Sequence, residues 1–190
     1  PYTTLFRSDG CTGLEEIVLP DSLEIIGSYA FDGCSGMKTI SIPNSVIKIE
    51  RGAFSDCSAL TELIIPDSVE AIEDHFFKGC TSLRHIAVSD GNPKYDSRED
   101  CNAIIRTADS TLMFAYQKSV IPDTVKAIGE SAFAKCERLN GITIPASVVL
   151  IDKYAFMGCT GLTGISIPDS VTDIEWSAFK GCTGITELII

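Results

Sequence analysis

Cysteine offers this chain its widest chemistry, because a thiolate can bind metal, form disulfides or act as a nucleophile. Eight Cys occur among 190 residues, and seven of them recur at one interval. Two series have a spacing of 23 residues, and Cys101 alone is out of phase: Cys11, Cys34, Cys57 and Cys80, then Cys136, Cys159 and Cys182. No Cys-x-x-Cys pair occurs, so a zinc ribbon is excluded on spacing. Because equivalent side chains of stacked repeats point in parallel, the spacing favours a column of buried free thiols over disulfides.

The two histidines are the candidate general bases. A Ser-His-Asp or Cys-His site needs one of them beside a nucleophile and an orienting group. His75 falls at a variable repeat position that other units fill with Tyr, Gly or Ser, and His85 falls where other units have Glu, Thr or Gly. The repeated Ser residues are better explained by turns. We therefore predict no catalytic residue.

A cluster of oxygen-bearing side chains suggests calcium at first sight. It consists of Asp90, Asn92, Asp96, Glu99 and Asp100. The D-x-D-x-D-G-x5-E spacing of a calcium loop is absent, so a solvated acidic loop is the favoured interpretation. We expect no metal and no cofactor.

The elements that must position these residues follow from the 23-residue unit. Its common form is C-x-x-L-x-x-I-x-I-P-x-S-V-x-x-I-x-x-x-A-F-x-G, numbered 1 to 23 from the Cys. Apolar residues at positions 7 and 9 alternate with small or polar ones, which indicates a half-buried strand: Ile17/Leu19, Ile40/Ile42, Leu63/Ile65, Ile142/Ile144 and Ile165/Ile167. Pro at position 10 ends that strand, and the following Asp/Asn-Ser pair favours a turn. A second short extended piece comes next, and Ala-Phe is predicted to lie on one helical turn.

No unit of this kind can bury its apolar face alone, so the units must stack. The sequence therefore predicts a β-rich α/β repeat solenoid with a parallel strand ladder on one face. One interval is irregular: an insert at about residues 89–119 lengthens the distance from Cys80 to Cys136 to 56 residues. Within the insert, Asn102–Arg106 and Leu112–Tyr116 flank Thr-Ala-Asp-Ser, which predicts a β-hairpin.

Charge and hydropathy exclude two classes of partner. The chain carries 15 Lys and Arg against 26 Asp and Glu, a net charge of −11, whereas binding to phosphate backbones needs clustered cations. No apolar run approaches the roughly 20 residues that span a bilayer. We expect no nucleic-acid partner and no membrane span in this fragment.

Residues 1–8 need separate treatment. PYTTLFRS matches the translation of a sequencing-adapter end, and the chain has no initiator Met. We predict a non-native leader over residues 1–8, followed by a single repeat array over residues 9–190 that is truncated at both ends, as in a metagenomic fragment.

The repeat resembles the BspA-like, or treponemal-type, leucine-rich repeats. The resemblance covers residues 9–190 and includes the insert, whose NPKYDSREDCNAII segment is similar to one found in such proteins. It implies a curved, right-handed solenoid on a bacterial cell-surface or secreted protein. It also implies adhesion to a host or bacterial surface protein or glycan, and it carries no catalytic motif.

The outward side chains of the strands are the predicted partner-binding surface, because they are short and suit a broad protein or glycan surface. The candidate residues are Glu16, Thr39, Glu62, His85, Thr143, Ser166 and Glu187. Tyr29, Tyr154 and Trp176 are a second set of possible anchors, on the variable segment before Ala-Phe. Two alternatives stay open: a passive spacer, or a repeat region attached to a lost catalytic domain.

Overall fold

The computed structural model of the chain describes residues 4–5 and 8–189. Two compact units divide the chain, Pro1–Asp96 and Ser97–Ile190, and their boundary lies inside the predicted insert. Unit 1 denotes the described residues up to 96, and unit 2 those from 97. Both consist of β-solenoid turns with a spacing of about 23 residues and almost no helix, as the sequence predicts.

Unit 1 contains two parallel ladders. Its strands are β1 (Thr4–Leu5), β2 (Ile25–Ile26), β3 (Lys48–Ile49), β4 (Glu62–Ile65), β5 (Ala71–Ile72), β6 (His85–Val88) and β7 (Tyr95–Asp96). A long ladder joins β1, β2, β3 and β5, and a strand-face ladder joins β4 to β6. In the register of these ladders Lys48 lies beside Ala71, and Glu62 lies beside His85. Partners are thus one repeat apart, and each repeat forms one turn of the solenoid.

Unit 2 repeats this arrangement after the insert. It contains a 3-10 turn at Arg98–Asp100 and the strands β8 (Ile104–Arg106), β9 (Thr111–Phe114), β10 (Ala127–Ile128), β11 (Leu150–Ile151), β12 (Gly164–Ser166), β13 (Asp173–Ile174) and β14 (Glu187–Ile189). Its long ladder runs β9-β10-β11-β13, and its strand-face ladder joins β12 to β14. The hairpin is confirmed, since β8 and β9 pair in antiparallel fashion. The side chain of Arg106 closes its turn by binding Asp109 at 2.7 Å.

The alternation predicted at positions 6 to 9 is confirmed in the burial of the side chains. In β4, for example, Leu63 and Ile65 are buried, whereas Glu62 and Ile64 are exposed. Strand pairing is less regular than predicted. Residues 16–19, 39–42 and 141–144 keep the alternation but form no strand within the described residues. The need to bury the apolar side chains fixes which residues point inward. It does not require the main chain of every turn to hydrogen-bond to that of its neighbour.

Columns of equivalent side chains form the core. The Phe at position 21 stacks on its counterpart in the next turn, with ring centroids 5.3 Å apart for Phe31 and Phe54 and 5.1 Å apart for Phe133 and Phe156. The Val or Leu at position 13, the Ile at position 16 and the Ala at position 20 are buried in the same way in most turns. Stacking of like residues explains why a single unit has no core of its own.

The repeat Ser has a different role from the one predicted. The turn after Pro is closed by the main chain, as where Val46 N donates to Pro43 O at 3.0 Å. The Ser hydroxyl instead donates to a carbonyl of the preceding turn, with Ser45 Oγ to Leu23 O and Ser68 Oγ to Val46 O both at 2.7 Å. In these turns the Ser therefore bridges successive turns rather than capping its own.

The helical turn predicted at Ala-Phe is also wrong. The segment is a series of tight turns, in which Ala30 N donates to Gly27 O and Cys34 N donates to Phe31 O. The residue before Ala has a left-handed backbone in each turn, with φ of 58° at Tyr29 and 60° at Tyr154. A residue in that conformation cannot continue a right-handed helix.

Two residues of the insert complete the last turn of unit 1. Asn92 lies at the buried position 13, where its amide donates to Pro66 O at 2.7 Å and to Val69 O at 3.0 Å. The hydroxyl of Tyr95 accepts the N–H of Ile72 at 3.0 Å. These contacts replace the Ser bridge and a ladder bond of a regular turn, so Asn92 is a structural residue.

The predicted leader lies partly within the described residues. Thr4 and Leu5 form β1 and pair with Ile25 and Ile26 of β2. Ser8 N donates to Ala30 O at 2.7 Å. Its other residues lie outside the described residues, and its non-native origin stays a prediction.

Candidate binding surface

The seven candidate residues are all exposed, as predicted for a partner surface. They are distributed over two units: Glu16, Thr39, Glu62 and His85 in unit 1, and Thr143, Ser166 and Glu187 in unit 2. We use the name strand face for the outward side chains at positions 6 and 8 of each turn. Within each unit, adjacent turns bring some of these side chains together.

In unit 1 the strand face contains a groove of about 350 Å³. Glu16 and Thr39 both line it, together with Val18, Ser41 and Asp21. Val18, at the outward position 8, is 88% exposed. The groove is open and shallow, and it combines carboxylates, hydroxyls and an apolar side chain.

Glu62 and His85 form a separate pair on the same face, outside that groove. His85 Nδ1 lies 2.8 Å from Glu62 Oε1, and the two residues are neighbours in the register of β4 and β6. Both side chains are about half exposed. The pair thus places a carboxylate within hydrogen-bonding distance of an imidazole at an exposed position.

Unit 2 has a larger groove on its strand face, with a volume of about 760 Å³. Thr143, Ser166 and Glu187 all line it, so the structure brings together the three candidate residues of this unit. Asp123, at position 11 of the turn before, completes the lining with a second carboxylate. No Lys, Arg or His belongs to the lining.

The sequence reasoning missed the two aspartates, Asp21 and Asp123. Both follow the Pro that ends the strand segment, so they were assigned to the turn alone. The signal was available, since position 11 is acidic in several repeats and the turn begins where the strand face ends. Val120 was missed as well: it lies at the outward position 8, just before Pro122, and it is 65% exposed in the lining of the larger groove.

The second set of predicted anchors consists of aromatic residues on the turns before Ala-Phe, of which Tyr29 and Trp176 are exposed and Tyr154 is partly buried. Tyr154 and Trp176 contact edge to face with ring centroids 4.5 Å apart, and Trp176 is 58% exposed. Tyr29 in unit 1 lies over Gly52, where an added Cβ would approach Tyr29 Cε1 to 2.4 Å. Packing against a neighbouring turn thus covers part of each ring.

All eight cysteines are free thiols, and they are poor nucleophiles where they are buried. The thiol at position 1 donates to a carbonyl of the preceding turn, as from Cys57 Sγ to Phe31 O at 3.1 Å and from Cys159 Sγ to Phe133 O at 3.1 Å. Burial raises the pKa of Cys34 to about 11 and that of Cys136 to about 12, so the thiolate is disfavoured. Cys11 departs from the predicted column and is exposed, because the described residues place no preceding turn over it.

Metal chemistry finds little support in the described residues. No group of three or more His, Cys, Asp or Glu side chains among them is arranged to hold an ion. In the insert, the Oδ1 of Asn92 accepts the N–H groups of Lys94 and Tyr95, both at 2.9 Å. This oxygen therefore serves the fold. No helix in the described part of the chain has the length and hydropathy to cross a bilayer.

Comparison with known proteins agrees with the geometry. A family model described as the BspA type leucine rich repeat region matches residues 4–102 and 113–190 in six copies. A search of curated proteins gave no match.

Three solved structures illustrate the likeness. The pneumococcal vaccine antigen PcpA has 25% identity and a TM-score of 0.73, over 92% of this chain and 50% of that chain. A leucine rich cell surface protein of Faecalibacterium prausnitzii has 24% identity and a TM-score of 0.67, over 94% and 60%. The leucine rich repeat protein of T. pallidum, TpLRR, has 26% identity and a TM-score of 0.54, over 96% and 70%. The chain thus spans half to three fifths of the first two proteins.

Proposed function

Since the chain belongs to the BspA-type leucine-rich repeat family, we propose that it is a non-enzymatic interaction module of a bacterial surface or secreted protein. Its partner is a protein or glycan on a host or bacterial surface, and its role is adhesion. The binding surface is the strand face of the two units.

One observation carries the proposal. The strand face has exposed side chains and open grooves in both units, and five of the seven predicted residues line those grooves. Enzymes bury most of a small substrate in a concave pocket with a few convergent polar groups. An open, repeated face instead suits contact with a broad macromolecular surface.

The electrostatics of the face favour cationic partners. Glu16, Asp21, Asp123 and Glu187 line the two grooves, and the whole chain has a net charge of −11. Exposed charges of one sign steer oppositely charged partners during association, and salt screens that steering.

A binding screen with two surface variants tests the proposal. The chain is assayed against immobilised mucosal matrix proteins, bacterial surface extracts and glycans. One variant carries Thr39→Trp and Thr143→Trp, which add bulk to the strand face of each unit. The other carries Tyr29→Ser, Tyr154→Ser and Trp176→Ser, which remove the aromatic rings before Ala-Phe.

We expect the strand-face variant to lose binding and the aromatic variant to keep it. Loss of binding in the aromatic variant alone would show that the binding site lies on the turns before Ala-Phe. Absence of binding to every candidate would favour the passive spacer.

A further inference from the structure

The groove of unit 2 has main chain for part of its floor. It crosses four successive turns, from Ser119–Asp123 to Glu187 and Ile189. Gly141 and Gly164 lie in its lining at position 6, where other turns have Glu16, Glu62 and Glu187. A glycine at such a place lets another backbone approach closely.

The fold does not demand glycine at residue 141. Its φ lies outside the left-handed region, and an added Cβ would meet no atom within 4 Å. Two other glycines of unit 2 differ: Gly158 has a φ of +76°, and a Cβ on Gly161 would lie 2.4 Å from Glu137 O. Those two are required by the backbone, whereas Gly141 leaves the groove floor uncovered without a packing reason.

The main chain beside Gly141 has unused hydrogen-bonding groups. The N–H groups of Ile142 and Thr143 donate to no acceptor among the described residues, and the carbonyls of Gly141 and Ile142 accept from no described donor. Just before this segment, Asn140 O accepts two bonds from the following turn, from Thr163 N at 3.4 Å and from Thr163 Oγ1 at 3.2 Å. Main-chain groups left unpaired in this way remain available to the polar groups of a ligand in the groove.

Charge and hydropathy restrict what such a chain can be. Asp123 and Glu187 line the groove in its first and last turns, and neither forms a salt bridge with a described cation. Val120 and Ile189 are 65% and 54% exposed at the same two turns. A ligand that matches this lining has cationic groups toward its ends and apolar contacts beside them.

We propose that this groove binds an extended peptide segment that carries two basic side chains. The peptide crosses the turns over the bare glycine floor, and its Lys or Arg side chains reach Asp123 and Glu187. The first and last turns are three spacings apart, about 14 Å, which an extended chain covers in about four residue steps, so about three residues lie between the basic ones. The inference rests on the proposed function and names the chemistry of a protein partner for unit 2.

Fluorescence anisotropy with the full chain tests this proposal. The probe is a labelled eight-residue peptide with Lys at its positions 2 and 6 and Val-Thr-Val between them. Its counterpart has Glu at both positions. We expect saturable binding of the lysine peptide at low salt, several-fold weaker binding at 300 mM salt, and at least tenfold weaker binding of the glutamate peptide.

Variants of the chain then locate the site. Gly141→Phe covers the floor and should weaken binding of the lysine peptide at least tenfold. Gly13→Phe is the matched control in unit 1, because a Cβ on Gly13 also meets nothing within 4 Å, and it should leave binding unchanged. Asp123→Asn combined with Glu187→Gln should weaken binding three- to tenfold and flatten its salt dependence, whether or not Gly141→Phe folds.

Three results would overturn the proposal. They are absence of saturable binding by the lysine peptide, equal binding by the two peptides, and full binding by a folded Gly141→Phe protein. If a macromolecule binds the strand face and the lysine peptide does not bind, this inference is wrong and the proposed function stands. If the lysine peptide binds and no macromolecule does, this inference stands and the proposed function is not supported.

Discussion

Among single residues, the buried thiols have the most distinctive titration. Because the pKa of Cys136 is raised to about 12, the folded state keeps that proton, whereas an unfolded chain loses it from about pH 8.5. The folded state then binds more protons, so stability falls as the pH rises from about 8.5 toward 12. Each such thiol contributes a slope of about 1.4 kcal/mol per pH unit in that window.

Urea unfolding at pH 7, 8, 9.5 and 10.5, with a reductant present, measures this slope. We expect Cys136→Ala to have a shallower decline of the free energy of unfolding than the unmodified chain. Val148→Ala is the control, because it truncates a buried side chain that has no ionisable group, and its decline should match that of the unmodified chain. An unchanged slope in Cys136→Ala would contradict the buried, protonated thiol.

The serine bridge gives a second prediction for single residues. Ser68→Ala removes the bond to Val46 O, and it should lower the free energy of unfolding by about 1 kcal/mol. Ser147 occupies the same repeat position, but its buried Oγ has no hydrogen-bond partner among the described residues. Ser147→Ala should therefore be neutral or stabilising in the same urea titration, and equal losses in both variants would refute the bridge.

At the scale of the elements, the Phe column is the central packing feature. Phe156 is fully buried and stacks on Phe133 and Phe179, with centroids 5.1 and 5.2 Å away. Phe156→Ala leaves a cavity between turns and should cost about 3–5 kcal/mol, whereas Lys153→Ala at a half-exposed site should cost about 0–0.5 kcal/mol. Thermal and urea unfolding measure both, and similar losses would show that this turn faces the other way.

Some features of these elements could be predicted from the sequence, and others could not. The 23-residue period predicts the stacking, the inward positions and the hairpin, because these depend on which side chains are apolar and on their spacing. The period does not reveal that Ser45 bonds to the preceding turn, since that contact joins residues 22 apart. The left-handed backbone at Tyr29 and Tyr154 was equally hidden, because neither residue is a type that favours it.

The binding surface is predictable to a similar extent. Alternation along each strand identifies Thr143 and Ser166 as outward residues, and both line the larger groove. Asp21 and Asp123 were missed because they belong to the turns, which the alternation does not describe. The groove itself crosses the paired strands β12 and β14 as well as the unpaired residues 141–144, and no residue type encodes that arrangement directly.

At the scale of the whole molecule, net charge leads to a prediction about association. Glu62→Lys and Glu187→Lys together reduce the negative charge of the strand face in both units. If a cationic partner is bound there, these reversals should slow association more than they speed dissociation, and the loss should shrink at high salt. Surface plasmon resonance at 50 and 300 mM salt measures the two rates, and the pair Glu24→Lys and Glu70→Lys, exposed but outside the strand face, is the control.

Hydrogen–deuterium exchange of the bound chain tests the assignment of the binding surface most directly. A partner from the binding screen is added at saturation, and exchange is followed for peptides that cover residues 8–189. We expect slower exchange in residues 39–42, 62–65, 141–144 and 164–166, with no change in the turns that hold Tyr29 and Trp176. Protection of those turns with an unchanged strand face would contradict binding through the strand face.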